Sequence, residues 1–401
     1  MAENDIYNNK KRYDNFIKNI PNLINKNVRS EYYCINKNNL KYFSKLISSF
    51  DVDDLSYIRR LRMLNVLKFL TYFVKSDLKN IDKETKDELI IEIRRKFKIT
   101  NLKKTERDIK RIYKILFDKL PKPLEDFNIR IDKSMQKNGN GKLTYEEFDK
   151  LMKYFSNNIT FQAYLSLAFE SLGRPQEVLF TKISDLELYD NYAIVNVSEH
   201  GKEGTKKLIS IDSYPYLIKM YNSHKDRKNN DSFLFLNGNN KQLTPYAINK
   251  RLKKACKYLN IDKHITCYSL KRFGVTFRRL NGDNDVTIQR IAGWTSTRQL
   301  QTYDLSNQDD VFKIELAKRG LIKDVTLKEH YPKTKTCEYC GERVGFSESS
   351  CPKCYNLMDK DMIKKRIEAR EKPHEFLNQI MDDEVIELLL RKAKEKGVEI
   401  K

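Results

Sequence analysis

A mainly α fold with a small antiparallel β-sheet (α+β) is what this sequence predicts, on three observations. Apolar residues recur at helical spacing over most of residues 39–120 and again over 245–305. Between those blocks only three short runs, 186–188, 192–197 and 207–211, have strand character, separated by the turn-rich stretches 189–191 and 201–205. Towards the end, two Cys-x-x-Cys pairs with ten residues between them mark a small module organised by sulfur ligands.

Taken in order, residues 1–36 are polar, rich in Lys and Asn, and read as a basic arm. Leu40, Phe43, Leu46 and Ile47 share one helical face. Leu55, Ile58, Leu61, Leu64, Leu67 and Leu70 form a longer stripe behind Asp53 and Asp54, which serve as start signals. A further helix is expected to begin at Thr105, with Asp108 as the return partner of a capping box, and to run through Ile109, Ile112 and Leu116 until Pro121 stops it. Together these define a helical domain over 37–125, followed by a linker over 126–142. A second domain, 143–325, opens with Thr144 as cap and Glu147 three residues on. Its later helices are expected over 214–221, 245–258, 270–280, 285–292 and 299–305, closed by 311–319. Residues 331–358 hold the four cysteines, and 359–401 form a charged helical tail.

Charge narrows the class of partner. The 77 Lys and Arg residues against 55 Asp and Glu give a formal +22, which predicts attraction to a polyanion, nucleic acid first. A compositional bias towards Lys, Asn and Ile is present, but it would raise Glu as well and leave the charge nearer balance. No apolar run approaches the ~18 residues of a membrane span. The N-terminus, Met-Ala-Glu-Asn-Asp, lacks the basic and then apolar order of a secretory signal. The expectation is a cytoplasmic protein with no membrane partner. Of seven cysteines, Cys34, Cys256 and Cys267 are scattered, which fits buried thiols better than a disulfide framework. Cys337, Cys340, Cys351 and Cys354 suit a structural zinc, because four thiolates fill a tetrahedron and leave no open position for chemistry. A module this small has almost no core, so metal loss is expected to unfold residues near 331–358 and nothing else. DNA contact and protein contact are equally open as its task.

The chemistry points to Tyr303. A helix from Asp285, with Ile288, Ile291 and Ala292 on its apolar side, ends at Gly293, which can take a left-handed backbone. Trp294, a Thr-Ser-Thr turn and a second short helix then deliver Tyr303 ten residues after that glycine. Singly, Arg174, Lys202 and Tyr303 carry little weight. Their joint order and spacing resemble the catalytic domain of tyrosine recombinases, the phage-type or Xer-type integrases. Leu172-Gly-Arg-Pro-Gln-Glu177 resembles the family's first arginine box, Gly201-Lys-Glu-Gly-Thr-Lys206 its lysine hairpin, and Ile291-Ala-Gly-Trp-Thr-Ser its Leu-Gly-His-Ser-Ser box.

The resemblance covers 143–305, and 37–120 is similar to the core-binding domain that precedes it in the family. It implies a catalytic set of Arg174, Lys202, Lys271, Trp294 and the nucleophile Tyr303. It also implies a covalent 3′-phosphotyrosyl intermediate, double-stranded DNA as partner, a homo-tetramer on DNA, and no catalytic metal or organic cofactor. The C-terminal four-cysteine ribbon resembles the archaeal or archaeal-virus branch. One box departs: where the family has His-x-x-Arg, this chain has Tyr268-Ser-Leu-Lys271, with Arg272 as a further candidate for the missing guanidinium. Lysine keeps the charge but loses the two-pronged grip on a phosphate. That departure keeps two alternatives in view, a decayed recombinase acting as a DNA-binding regulator and a type IB-like topoisomerase. A basic zinc protein acting on RNA would leave the spacing to coincidence.

Overall fold

Two units divide the chain, Met1–Asn140 and Gly141–Lys401. The structure is a computed structural model and describes residues 5, 7–24, 31–131, 142–197, 205–322 and 334–358, with 364 and 391. Apart from 364 and 391, the tail expected over 359–401 lies outside the described residues, as do 132–141 of the 126–142 linker.

The first unit comprises α1 (Asn9–Lys18), α2 (Lys41–Val52), α3 (Tyr57–Phe73), α4 (Lys83–Lys96), α5 (Ile99–Phe117) and α6 (Lys122–Glu125). Leu61, Leu64, Leu67 and Leu70 of α3 are buried against Phe43 and Leu46 of α2 and Ile109, Ile112 and Leu116 of α5, as helical spacing requires. Ile58 leaves the expected stripe and is 60% exposed.

Three expectations change here. The arm over 1–36 contains α1, whose Tyr13 is buried and packs its ring against Phe50 and Tyr57. Phe16 and Ile17 of the same helix pack on that core as well, apolar positions that a reading based on overall polarity passes over. Residues 127 and 129, assigned to the linker, belong to the core: Phe127 and Ile129 are fully buried, and the Ile129 N–H donates to Glu106 at 2.9 Å. Finally, α5 starts at Ile99 rather than Thr105. Asp108 caps nothing; it is buried and receives Arg59 at 2.6 Å and Arg62 at 2.5 Å, both from α3. A buried carboxylate with two guanidinium partners had the sequence signature of a cap.

The second unit is built around α8 (Ile159–Glu170), which follows α7 (Tyr145–Tyr154). Residues 161–170 of α8 are buried on every side, the mark of a central helix. Thr144 and Glu147 form the expected capping box at the start of α7. After α9 (Pro175–Leu179) come the antiparallel strands β1 (Leu186–Leu188), β2 (Ala193–Val197) and β3 (Lys206–Ser210), in that order. Ala193, Val195 and Val197 alternate inward on β2, and Leu208 and Ser210 do so on β3. Helices α10 (Tyr214–Asn222), α11 (Pro245–Tyr258), α12 (Cys267–Leu280), α13 (Asp285–Ala292), α14 (Leu300–Tyr303) and α15 (Gln308–Lys318) follow. A two-stranded ribbon, β4 (Lys335–Thr336) and β5 (Arg343–Val344), completes the described chain. Among the described residues no helix is long and apolar enough to cross a membrane.

Candidate active site

The site starts at the end of α8. Leu172, fully buried, takes a left-handed φ of 53°, which turns the chain sharply into Gly173 and Arg174. Pro175 opens α9 at the position where a missing N–H costs nothing. Glu177, two residues on, reaches back with both carboxylate oxygens: Oε2 accepts from the Arg174 backbone N–H at 2.8 Å and Oε1 from its Nη1 at 2.6 Å. The guanidinium is thereby fixed, with Nη2 at 3.4 Å from Gln299 Oε1 beside α14.

Lys206, the first residue of β3, joins the same carboxylate from the sheet side. Its Nζ lies 3.0 Å from Glu177 Oε2 and donates to the Ala292 carbonyl at 3.1 Å, at the C-terminus of α13. The Lys206 stem runs along Gly293, so close that a Cβ there would stand 2.8 Å from its Cδ. Gly293 has φ +66° as expected, so both backbone and neighbour demand glycine. Three cations, the buried Arg174 and Lys271 and the partly buried Lys206, surround one buried carboxylate. Burial raises the Glu177 pKa, but Lys206, Lys271 and Arg174 outweigh it and hold the group at about 2.

Lys271 is fully buried on α12. Its Nζ lies 5.2 Å from the centroid of the Trp294 ring and 5.2 Å from that of Tyr303. Those two rings stack on each other, centroids 5.2 Å apart and planes at 26°. They belong to a small apolar cluster with Leu172, Val275, Ile288, Ala292 and Leu300. Tyr303 is half-buried at the end of α14, and the following chain is pinned by the Leu305 N–H on Thr276 and by Arg279 on Asp304, each from α12. Trp294 Nε1 is buried and, among the described residues, has no hydrogen-bond acceptor.

Arg174, Lys271, Trp294 and Tyr303 are therefore brought together. Tyr268 sits on the first turn of α12, 38% exposed, one turn before Lys271. Arg272 lies on the solvent side of α12 while Lys271 points inward, as adjacent positions on a helix must. Lys202 lies outside the described residues. Lys206 and Gln299 were not singled out from the sequence. For Lys206 a signal existed: period-2 counting back from Leu208 and Ser210 puts it on the buried face of β3.

The four cysteines form the second constellation. Their sulfurs all lie within 4.8 Å of one another. The pairs Cys337–Cys354 and Cys340–Cys351 are 3.5 and 3.6 Å apart, against roughly 3.8 Å between sulfurs of a tetrahedron with metal–sulfur bonds of ~2.3 Å. The two knuckles repeat one construction: Gly341 and Tyr355, each following the second cysteine, take φ of 70° and 60°, and each N–H donates to the first cysteine's carbonyl at 2.9 Å. The Asn356 amide donates to Cys354 Sγ at 3.4 Å, as a thiolate ligand invites. Four sulfurs so placed can bind a tetrahedral metal ion.

Residues 142–309 match the model of the phage integrase family. No curated protein matches by sequence. Among solved structures, the chain is similar to the Tn1549 transposon integrase in complex with circular intermediate DNA, at TM-score 0.55 and 15% identity over 69% of this chain and 99% of that one. It is similar to the XerH site-specific recombinase bound to palindromic difH substrate, at 0.54 and 13% over 79% and 98%. A lambda integrase dimer bound to a core site gives 0.53 and 13% over 73% and 87%. At such identities the likeness establishes the fold alone, which the chain shares with these integrases and this recombinase. The phage integrase match lies wholly within the second unit.

Proposed function

We propose that this chain is a site-specific DNA recombinase of the integrase type, cleaving and rejoining double-stranded DNA through a covalent 3′-phosphotyrosyl intermediate on Tyr303. The observation that carries the reading is the stack of Tyr303 on Trp294 with the Lys271 ammonium 5.2 Å from both rings. The Tyr303 phenol oxygen attacks the scissile phosphorus, and the bond to the neighbouring 5′ oxygen breaks. The phenol proton goes to a base, and the departing oxygen takes one from Lys202. Arg174 and Lys271 hold the non-bridging oxygens and offset the charge gained in the transition state. Trp294 Nε1, a buried donor with no acceptor among the described residues, supplies a further N–H for a phosphate oxygen. Glu177 orients Arg174 without reacting. Rejoining runs the same steps backwards, so the phosphoester energy is conserved.

These groups provide nucleophile, charge and proton, so the reading asks for no metal at the phosphate; zinc on Cys337, Cys340, Cys351 and Cys354 is structural. Exchange between two duplexes calls for a homo-tetramer assembled on DNA in the cytoplasm. The ribbon is what favours an archaeal or archaeal-virus-like mobile element. A decayed, DNA-binding regulator is the second reading, favoured by Tyr268 and Lys271 standing where the family carries histidine and arginine. A nicked suicide substrate carrying the cognate site separates them. The wild-type chain should form an SDS-stable protein–DNA adduct that Tyr303→Phe cannot form. An adduct from the phenylalanine variant would overturn the nucleophile, and none from wild type would favour the regulator.

A further inference from the structure

The ribbon is the feature that the proposed chemistry leaves unused, and its charge argues against a DNA-contacting task. Across 334–358 three basic residues, Lys335, Arg343 and Lys353, face three acidic ones, Glu338, Glu342 and Glu348, in a chain whose formal charge is +22. A divalent ion with four thiolates would add about two negative charges. The cations are also committed elsewhere: Lys353 to Glu342 at 3.1 Å, Lys335 to the Glu348 carbonyl at 3.4 Å, and Arg343 to the Asn191 carbonyl of the β1–β2 turn at 2.7 Å. Such a module gains little from releasing counterions off a phosphate backbone.

Its buried face points the other way. Immediately after β5, Gly345, Phe346 and Ser347 enter the second unit. Phe346 is 5% exposed, with its ring centroid 5.5 Å from Tyr216 of α10, 6.0 Å from Phe148 of α7 and 6.5 Å from Tyr145. Gly345 lies on the Tyr216 ring, where any Cβ would overlap ring carbons. The Ser347 N–H donates to the Tyr216 hydroxyl at 2.8 Å, and the two hydroxyls bond each other. The ring contacts then continue inward. Phe148 meets Phe169 at 4.8 Å and Phe273 at 5.4 Å, and Phe273 is two residues beyond Lys271 on α12.

We propose that the ribbon is a metal-set plug of the second unit: bound zinc fixes the β4–β5 turn in the shape that seats 345–347 between α7 and α10, and so steadies the packing under α12 and Lys271. The metal half of this rests on the zinc reading above. The plug half rests on the packing alone.

Hydrogen exchange on the full chain tests both. Stripping zinc with a chelator, with metal content measured in parallel, should speed exchange about tenfold in α7, α10 and α12 as well as in the ribbon, and zinc added back should restore protection. Exchange changes confined to 334–358 would overturn the proposal. Phe346→Ala, and the milder Phe346→Leu if the first fails to fold, leave all four sulfurs in place. They should keep one zinc per chain while loosening the same three helices; helices as protected as in wild type would sink the plug whatever the metal does. A chain that purifies without zinc would sink the metal half separately. Tyr339→Ala, at a knuckle tip 70% exposed, should change none of these readings.

Discussion

Lys271 and Arg272 are neighbours in sequence with opposite surroundings, and their variants separate them as proposed phosphate ligands. Lys271 is buried with its ammonium 5.2 Å from the centroids of both site rings, whereas Arg272 faces solvent. Lys271→Ala is expected to lower adduct formation roughly 100-fold, the usual cost of losing one charge-stabilising donor. Arg272→Ala should cost less than about threefold in the same assay, and the reverse order would hand the role to Arg272. Glu177 gives a prediction in pH. Its carboxyl is held near 2 against the burial that would raise it, so its contribution is full above the unfolded value of ~4.3 and is lost as pH falls towards about 2. Roughly 3 kcal/mol is at stake by linkage. Glu177→Gln should flatten the loss of stability between those pH values in acid denaturation; an unchanged profile would contradict the cation cage.

At the scale of elements, Lys206 ties β3 to α9 through Glu177 and to α13 through the Ala292 carbonyl. Lys206→Met leaves a buried carboxylate short of one partner and should lower stability by about 3–5 kcal/mol, read as a shifted urea midpoint. Gly293→Ala, strained at positive φ and pressed against the same lysine stem, should cost about 1–2 kcal/mol. Most elements were legible beforehand. The three strands lie within a residue of where alternation put them, and the Thr144 cap and Gly293 stop are where the chain advertised them. What sequence could not convey is partnership at long range. Thr105 and Asp108 have the spelling of a helix start, but Asp108 answers to arginines more than forty residues away on α3. The same limit hid Gln299 beside Arg174, a contact made across 125 positions. Tyr13 shows the complementary failure, one buried ring in a polar stretch.

Across the whole molecule, the four cysteines were legible as a ligand set because ligand spacing is local. Their integration into the second unit was not, because Phe346 and Gly345 reveal themselves only against Tyr216. The junction carries a titratable mark. Asp212, in the turn that Glu170 caps through the N–H groups of residues 211–213, has its pKa raised to about 6 by burial and by Glu170. The Thr334 backbone, Arg343 and Arg278 oppose the rise without cancelling it. A carboxyl that prefers to be neutral when folded weakens the fold as pH climbs through 4 to 6. Asp212→Asn should therefore raise the melting temperature at pH 8 and leave it nearly unchanged at pH 4. Equal shifts at both would assign the effect to packing instead.

The register of the sheet also sets a ruler. Val197 opposite Lys206 is the last rung between β2 and β3, and Lys206 is anchored on Glu177 beneath the site. Three residues separate that anchor from Lys202, and the four Cα-to-Cα steps between them span at most about 14 Å fully stretched. Contour length alone thus confines the Cα of Lys202, the proposed proton donor, to a sphere of that radius about the Cα of Lys206. Lengthening the chain between positions 202 and 206 would enlarge the sphere without disturbing its centre.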